Sequence, residues 1–380
     1  MLMDTSSELI HSLLPVFMAA VLGSSMITIG VLEGVAEATA AITKVFSGAL
    51  SDVFGKRKVP LLCGYALAAL TKPIFPLATS IGWVFAARFI DRLGKGIRGA
   101  PRDALVADLA PQQLRGAAYG LRQALDSVGA FLGPLCALAL MSWFASDIKV
   151  VMWMAIPPAF AAVGLLALFV AEPERQQTEI KIPLKLGAAR LLPPGYWLVV
   201  LLGLVFSLAR FSEAFLVLRA QDVGLSLSQV PLVMVVMNVV YAAFAYPAGA
   251  AADRVKHSTL LLAGLVLLIA SDLVLAAADS PQAALIGTGL WGLHMAFTQG
   301  LLSKLVADTA PATLRGTAFG IFNLVTGVGL LLASITAGTL WHKAGASVTF
   351  LVGAGFATLA TLGTLAYCTT STTDGSNERS

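Results

Sequence analysis

Val106–Gly120 reads VADLAPQQLRGAAYG and Val306–Gly320 reads VADTAPATLRGTAFG, ten identities in fifteen positions at an offset of 200 residues. In a chain so poor in charged residues, chance does not easily produce such a match. A second echo pairs Gly48-x-x-x-Asp52 with Gly249-x-x-x-Asp253, and a weaker one pairs Ser7-Glu8 with Ser212-Glu213. The chain therefore reads as two copies of one unit. Of its 380 residues, 57% are hydrophobic and 12% charged, against roughly 25% charged in a soluble domain. Such a chain cannot cover a water-facing surface, but it suits a lipid-facing one. Repeated halves in a membrane protein imply a pseudo-symmetric transporter whose substrate site lies near mid-membrane between them.

Outward from the repeat, apolar runs near 20 residues recur along the whole sequence, and about 20 residues span a bilayer core of about 30 Å. They predict helices over 2–22, 28–50, 59–79, 81–101, 117–142, 149–171, 196–218, 229–250, 258–278, 282–302, 316–340 and 347–369. The expected fold is an all-α membrane protein with twelve transmembrane helices in two pseudo-symmetric six-helix bundles. Trp83, Trp143, Trp197 and Trp341 fall near predicted ends, where interfacial aromatics gather. One set of connections holds thirteen Lys and Arg, among them Lys56, Arg57, Lys58, Arg102 and Arg254; the other holds only Lys149, Arg219 and Lys343. The positive-inside rule places the first set, and both termini with it, in the cytoplasm. The longest connection is polar and contains proline, so 172–195 reads as a cytoplasmic linker between halves 1–171 and 196–369, with a cytoplasmic tail over 370–380. No N-x-[ST] sequon occurs, which favours a bacterial inner membrane. The three cysteines lie in apolar runs, and neither a disulfide framework nor a metal site is expected.

GALSDVFGKRK (Gly48–Lys58) carries Gly48, Leu50, Asp52, Gly55 and the basic run Lys56-Arg57-Lys58. Here, and over essentially its full length, the chain resembles the major facilitator superfamily, whose loop between helices 2 and 3 has this pattern. The second-half copy keeps Gly249, Asp253 and Arg254. Gly120, Gly129, Gly133 and Pro134 on helix 5 resemble the signature of that family's proton-coupled antiporters, although the two glycines that usually follow are Ala137 and Leu138 here. Physically, Gly129 and Gly133 share a helix face that another backbone can approach closely, and Pro134 bends the helix by removing a hydrogen bond. Ala87–Leu105 (ARFIDRLGKGIRGAPRDAL) is similar to a bacterial subgroup of proposed exporters, with Arg88 in the place of the family's helix 4 arginine.

Ionisable side chains at membrane depth cost about 2.5–3.5 kcal/mol each on insertion scales, so they usually face a cavity and mark function. Arg88, Asp91, Arg92, Lys95, Arg98 and Arg102 fall in one sector of helix 4. Glu33, Glu37 and Lys44 share a face of helix 2, and Asp4, Glu8 and His11 share one of helix 1. The simplest scheme turns the helix 4 cations toward these anions. Glu8 is the leading candidate to carry a proton, with Asp4, Glu33 and Glu37 behind it and Arg88 or Arg92 as partner. In the second half, Arg210 and Glu213 stand one turn apart as a local pair or a substrate contact, and Asp272 has no obvious partner.

These readings point to a proton-coupled secondary transporter that exports a small molecule by alternating access. A proton-linked importer of an organic anion is the alternative that the arginine stripe favours. A membrane-embedded enzyme or a lipid flippase is the rival from another class, and His11 and His294 are too few to motivate an enzyme. No G-x-x-x-x-G-K-[ST] loop is present, so neither ATP nor any other cofactor is expected. The expected partners are the substrate, protons and the lipid bilayer, with no nucleic acid and no oligomerisation signal beyond a monomer. Gly48, Asp52, Gly55, Lys56 and Arg57, with Gly249, Asp253 and Arg254, are expected to latch the cytoplasmic side. Asp52→Asn should then slow turnover at unchanged substrate preference; altered preference at wild-type turnover, measured on substrate-loaded vesicles, would contradict the latch.

Overall fold

In the computed structural model, residues 1–54, 56–111, 114–172, 186–252, 255, 257–298, 301–311 and 314–377 are described. Among them every regular element is helical. The first half comprises α1 (Leu2–Val16) with a π turn over Phe17–Val21, α2 (Met26–Phe54), α3 (Lys58–Thr71), α4 (Ile74–Leu77), α5 (Ile81–Leu109), α6 (Arg115–Trp143), α7 (Ile148–Trp153) and α8 (Ile156–Phe169). The second comprises α9 (Pro194–Ala209), α10 (Ala214–Asp222), α11 (Leu232–Ala252), α12 (His257–Ala277), α13 (Pro281–Thr298), α14 (Leu301–Thr309), α15 (Arg315–Ala344) and α16 (Ala346–Asn377).

Nine helical stretches among the described residues are long and apolar enough to cross a membrane. The expected spans 2–22, 81–101 and 282–302 are not among them. The first carries Asp4, Glu8 and His11, and the second carries the arginine stripe. In the third, the apolar run of α13 is interrupted by Gly287, Thr288, Gly289, Gly292 and His294. All three pack within the bundle; Arg88, Arg92 and His294 are almost wholly buried.

Three helices expected to be continuous are broken. α3 gives way to α4 at Lys72–Pro73, and α7 to α8 at Met154–Ala155, just ahead of Pro157 and Pro158. The span expected over 196–218 stops at Ala209 and resumes at Ala214, leaving Arg210–Glu213 without helical structure. At the chain's end, α16 continues to Asn377, past position 370 where a tail was expected. The expected linker falls mostly on 173–185, outside the described residues; before it, the Glu172 carboxylate accepts from the backbone N–H groups of Arg57 and Lys58, capping the start of α3.

Opposite ends of the molecule differ. At the end remote from Lys56 and Arg57, one apolar core draws on both halves. Leu13, Leu14 and Phe17 of the first half share it with Phe215, Leu216 and Trp341 of the second. The remaining apolar clusters each belong to a single half. α2 and α15 meet without intervening side chains: a Cβ at Gly30 would strike the Ser334 carbonyl, and one at Gly34 would come 2.9 Å from that of Leu331. Overpacking such a contact costs about 1–3 kcal/mol. Gly30→Val should therefore lower the melting midpoint of the detergent-solubilised protein, whereas Gly164→Val, with open space at its Cβ position, should leave it unchanged.

Candidate functional site

The buried charges of the first half form one connected array. Arg88 donates to Glu33 at 3.0 Å, with both side chains essentially sealed from solvent. His11 Nδ1 lies 3.1 Å from Glu8 and His11 Nε2 lies 4.0 Å from Glu33, so the imidazole bridges two carboxylates. Arg92 Nη1 reaches Glu37 at 3.4 Å. The helix 4 cations Arg88 and Arg92 thus meet helix 2 anions directly, while Glu8 of helix 1 joins through the histidine.

Asp91 has a partner that hydropathy did not reveal. Lys72, at the break between α3 and α4, donates to Asp91 at 2.8 Å and to the Ser7 hydroxyl at 3.0 Å. Both charges are at least 95% buried. The available signal was a lysine directly before Pro73 inside an apolar run. Arg98, also buried, sits over the Tyr65 ring at 5.0 Å instead of pairing with an anion of helix 1 or 2. Arg102 and Arg122 share Asp126 at 3.0 and 3.5 Å, and Arg122 also holds Asp103 at 2.9 Å. Asp4 pairs with the Met1 amine at 3.0 Å.

Gly129 and Gly133 of α6 seat α1. A Cβ at Gly129 would come 2.9 Å from that of Asp4, and one at Gly133 would come 2.8 Å from that of Glu8. The glycine pair therefore fixes how closely the two acids approach the bundle axis. Gly120 and Gly249 have nothing within 4 Å of a Cβ, and Lys56 is exposed. Arg57 Nε lies 3.5 Å from Asp108. Of the remaining latch residues, Gly55, Asp253 and Arg254 lie outside the described residues, as do the side-chain surroundings of Gly48 and Asp52.

Two cavities adjoin this array. One of about 570 Å³ is lined by Glu8, His11, Glu37, Arg92 and Lys95 on one side and by Phe206, Arg210, Phe211, Ser212, Glu213 and Phe322 on the other. The second, of about 440 Å³, is lined by Asp4, Glu8, Lys95, Arg98, Arg102 and Arg122 and reaches Asn238 and Tyr241. Glu8 and Lys95 line both, and each cavity has walls from both halves. Arg210 and Glu213 face the first cavity from the helix break, with no ion pair between them. From the same break the Ser212 hydroxyl donates to Glu33 at 3.3 Å, and the Ser212 N–H donates to the Ser334 hydroxyl at 3.2 Å. His294 does not line either cavity; it is buried with Nδ1 2.7 Å from the Gly264 carbonyl.

The sequence profile of the Major Facilitator Superfamily matches residues 1–218 and again 199–380. The chain belongs to the major facilitator superfamily. An uncharacterised MFS-type transporter of Methanocaldococcus jannaschii, MJ1317, is 31% identical over 92% of this chain and 88% of its own length. The multidrug resistance protein MdtH of Yersinia pestis is 26% identical over 45% of this chain and 41% of its own. A crystal structure of the nucleoside transporter NupG superposes with a TM-score of 0.79 at 15% identity, covering 96% of this chain and 97% of that one; at that identity the likeness is one of fold. As a superfamily member the chain is a multi-pass membrane transporter of small molecules, not an enzyme.

Within the superfamily architecture, the Lys72–Asp91 pair makes the sharpest stability statement. Removing one partner of a buried pair costs about 3–5 kcal/mol, whereas apolar replacement of both is often neutral. Asp91→Asn should sharply reduce the monodisperse yield on size-exclusion chromatography, and the double variant Lys72→Met/Asp91→Leu should recover most of it.

Proposed function

We propose that this transporter couples proton movement to export of a small molecule by alternating access between two six-helix halves, residues 1–171 and 196–369. Twelve spans make up the fold in this reading, with the basic connections and both termini in the cytoplasm of a bacterial cell. The observation that carries it is the placement of Glu8. It lines both cavities, and only His11 separates it from the sealed Glu33–Arg88 pair. A carboxyl that meets water on one side and an imidazole on the other can take a proton from the cavity when wet. It gives the proton up when conformational change alters its charged neighbours. Glu33 is sealed in this state and Glu37 is held by Arg92, so both serve better as fixed charges than as carriers. Asp4, at the wall of the second cavity, is the next candidate. Export accords with the helix 5 glycines and with the likeness to MdtH over part of the chain.

Import of an organic anion is the second reading, and a specific observation favours it. Lys95 and Arg210 face the first cavity from opposite halves, and among the described residues neither has a carboxylate within ion-pair distance. Two such cations are suited to a carboxylate or phosphate.

Everted vesicles with an acid interior separate the two. In the export reading, adding a substrate releases internal protons from wild-type vesicles, read as fluorescence dequenching, and Glu8→Gln abolishes the release. Dequenching that survives in Glu8→Gln would remove Glu8 as carrier. Labelled anion entering right-side-out cells, with no compound releasing protons from everted vesicles, would replace export by uptake.

A further inference from the structure

The offset of 200 residues that relates the repeated sequences also holds in the packing of α3 on α5 and of α12 on α13. A Cβ at Gly64 would meet the Gly94 carbonyl and Arg98; one at Gly264 would meet the His294 carbonyl and Thr298. In this register Lys72 corresponds to Asp272, and Asp91 to Trp291. The first half fills these two positions with a buried ion pair. The second fills them with an acid and an indole.

Asp272 is completely buried, and neither carboxyl oxygen has a hydrogen-bond partner. The indole N–H of Trp291 is also buried and unpartnered. Among the described residues, the ionisable groups of the elements packed near Asp272 have other partners or line the cavity. His294 on α13 uses Nδ1 on Gly264. Arg219 on α10 donates to the carbonyls of Leu275 and Ala278 and to Asp222. Arg210 and Glu213 line the cavity, and the described part of α16 facing α12, from Ala346 to Ala366, has no charged residue. An isolated carboxylate in such surroundings would cost many kcal/mol, and a neutral carboxyl far less.

Phe211 adjoins this acid and also borders the cavity. A Cβ at Gly353 of α16 would come 2.9 Å from Asp272 Oδ2 and 3.0 Å from the Phe211 ring, so carboxyl, ring and α16 backbone converge on one point. Phe211 belongs to the non-helical break and also lines the 570 Å³ cavity. It packs on Trp291 and Phe350 at ring-centroid distances of 5.7 and 5.4 Å.

We propose that Asp272 is a second proton-binding site, in the C-terminal half, protonated in this conformation and shielded from the cavity by Phe211. When the break rearranges and the ring withdraws, the carboxyl O–H is broken, the proton passes to cavity water and a carboxylate remains. The site itself requires no particular substrate or direction; only its place in a transport cycle rests on the proton-coupled reading.

Infrared spectra of the purified protein in lipid nanodiscs test this without transport. At neutral pH in sodium-free buffer, wild type should show a protonated-carboxyl C=O band that Asp272→Asn removes and Glu8→Gln retains. Phe211→Ala should admit water and abolish the band at the same pH. Identical wild-type and Asp272→Asn spectra would overturn the proposal. So would loss of the wild-type band on adding sodium, which would make Asp272 a cation ligand. A band that persists in Phe211→Ala would overturn the shielding role. Loss of the proton-release signal in Glu8→Gln vesicles bears on the export reading alone, so the two can fail separately.

Discussion

A charge set at membrane depth must find an opposite charge, an aromatic face or a wet cavity, or lose its own, and the first half of this protein is organised by that demand. α5 carries five cations and an acid along one sector, and no neighbouring helix is free of the consequences. α2 must present Glu33 and Glu37 at the level of Arg88 and Arg92. α3 must end where Lys72 can reach Asp91. α1 must approach closely enough for His11 to join Glu8 and Glu33, and Gly129 and Gly133 allow that approach. Each pair repays its desolvation only with good geometry, and these contacts bring α1, α2, α3 and α5 together in the register described.

The second half satisfies the same fold by other means. The positions of α13 that match the charged stripe hold Thr288, Trp291, Gly292, Met295 and Thr298. Aromatic packing among Phe211, Phe215, Trp291, Trp341 and Phe350 takes the place of ion pairing. Edge-to-face and tilted pairs of this kind are worth about 0.5–1.5 kcal/mol each beyond their burial. They are less directional than a buried ion pair. The two halves therefore hold corresponding positions by different means, with ion pairs on one side of the cavity and aromatic packing on the other.

Much of this was legible in the sequence because its causes are local. The repeated fifteen residues pointed to two copies of one unit, and nine of the expected spans coincide with helical stretches long and apolar enough to cross a membrane among the described residues. The charged stripe could be placed on one face of helix 4 by counting residues. Arg122 and Asp126 stand four residues apart, the spacing at which side chains of one helix meet. The Lys72–Asp91 pair joins residues nineteen apart on different helices, and no periodicity relates them. Arg98 over Tyr65 was equally hidden, because a ring is an unadvertised cation partner. The break at 210–213 contains neither proline nor glycine. Its only trace was a polar cluster, Arg210, Ser212 and Glu213, in an otherwise apolar run.

That break follows from the same constraint as the ion pairs. Backbone groups that leave a helix at membrane depth need other partners, and irregular backbone is tolerated there only within protein or along a wet cavity. Here the Ser212 N–H turns to Ser334 of α15, the Ala214 N–H to the Ser212 hydroxyl, and that hydroxyl to Glu33 in the opposite half. One of these partners, Glu33, belongs to the first half. The non-helical segment is thus tied by hydrogen bonds to both halves. It also carries Arg210, Phe211 and Glu213 into the cavity wall, so the contact between the halves and the lining of the cavity share one short segment.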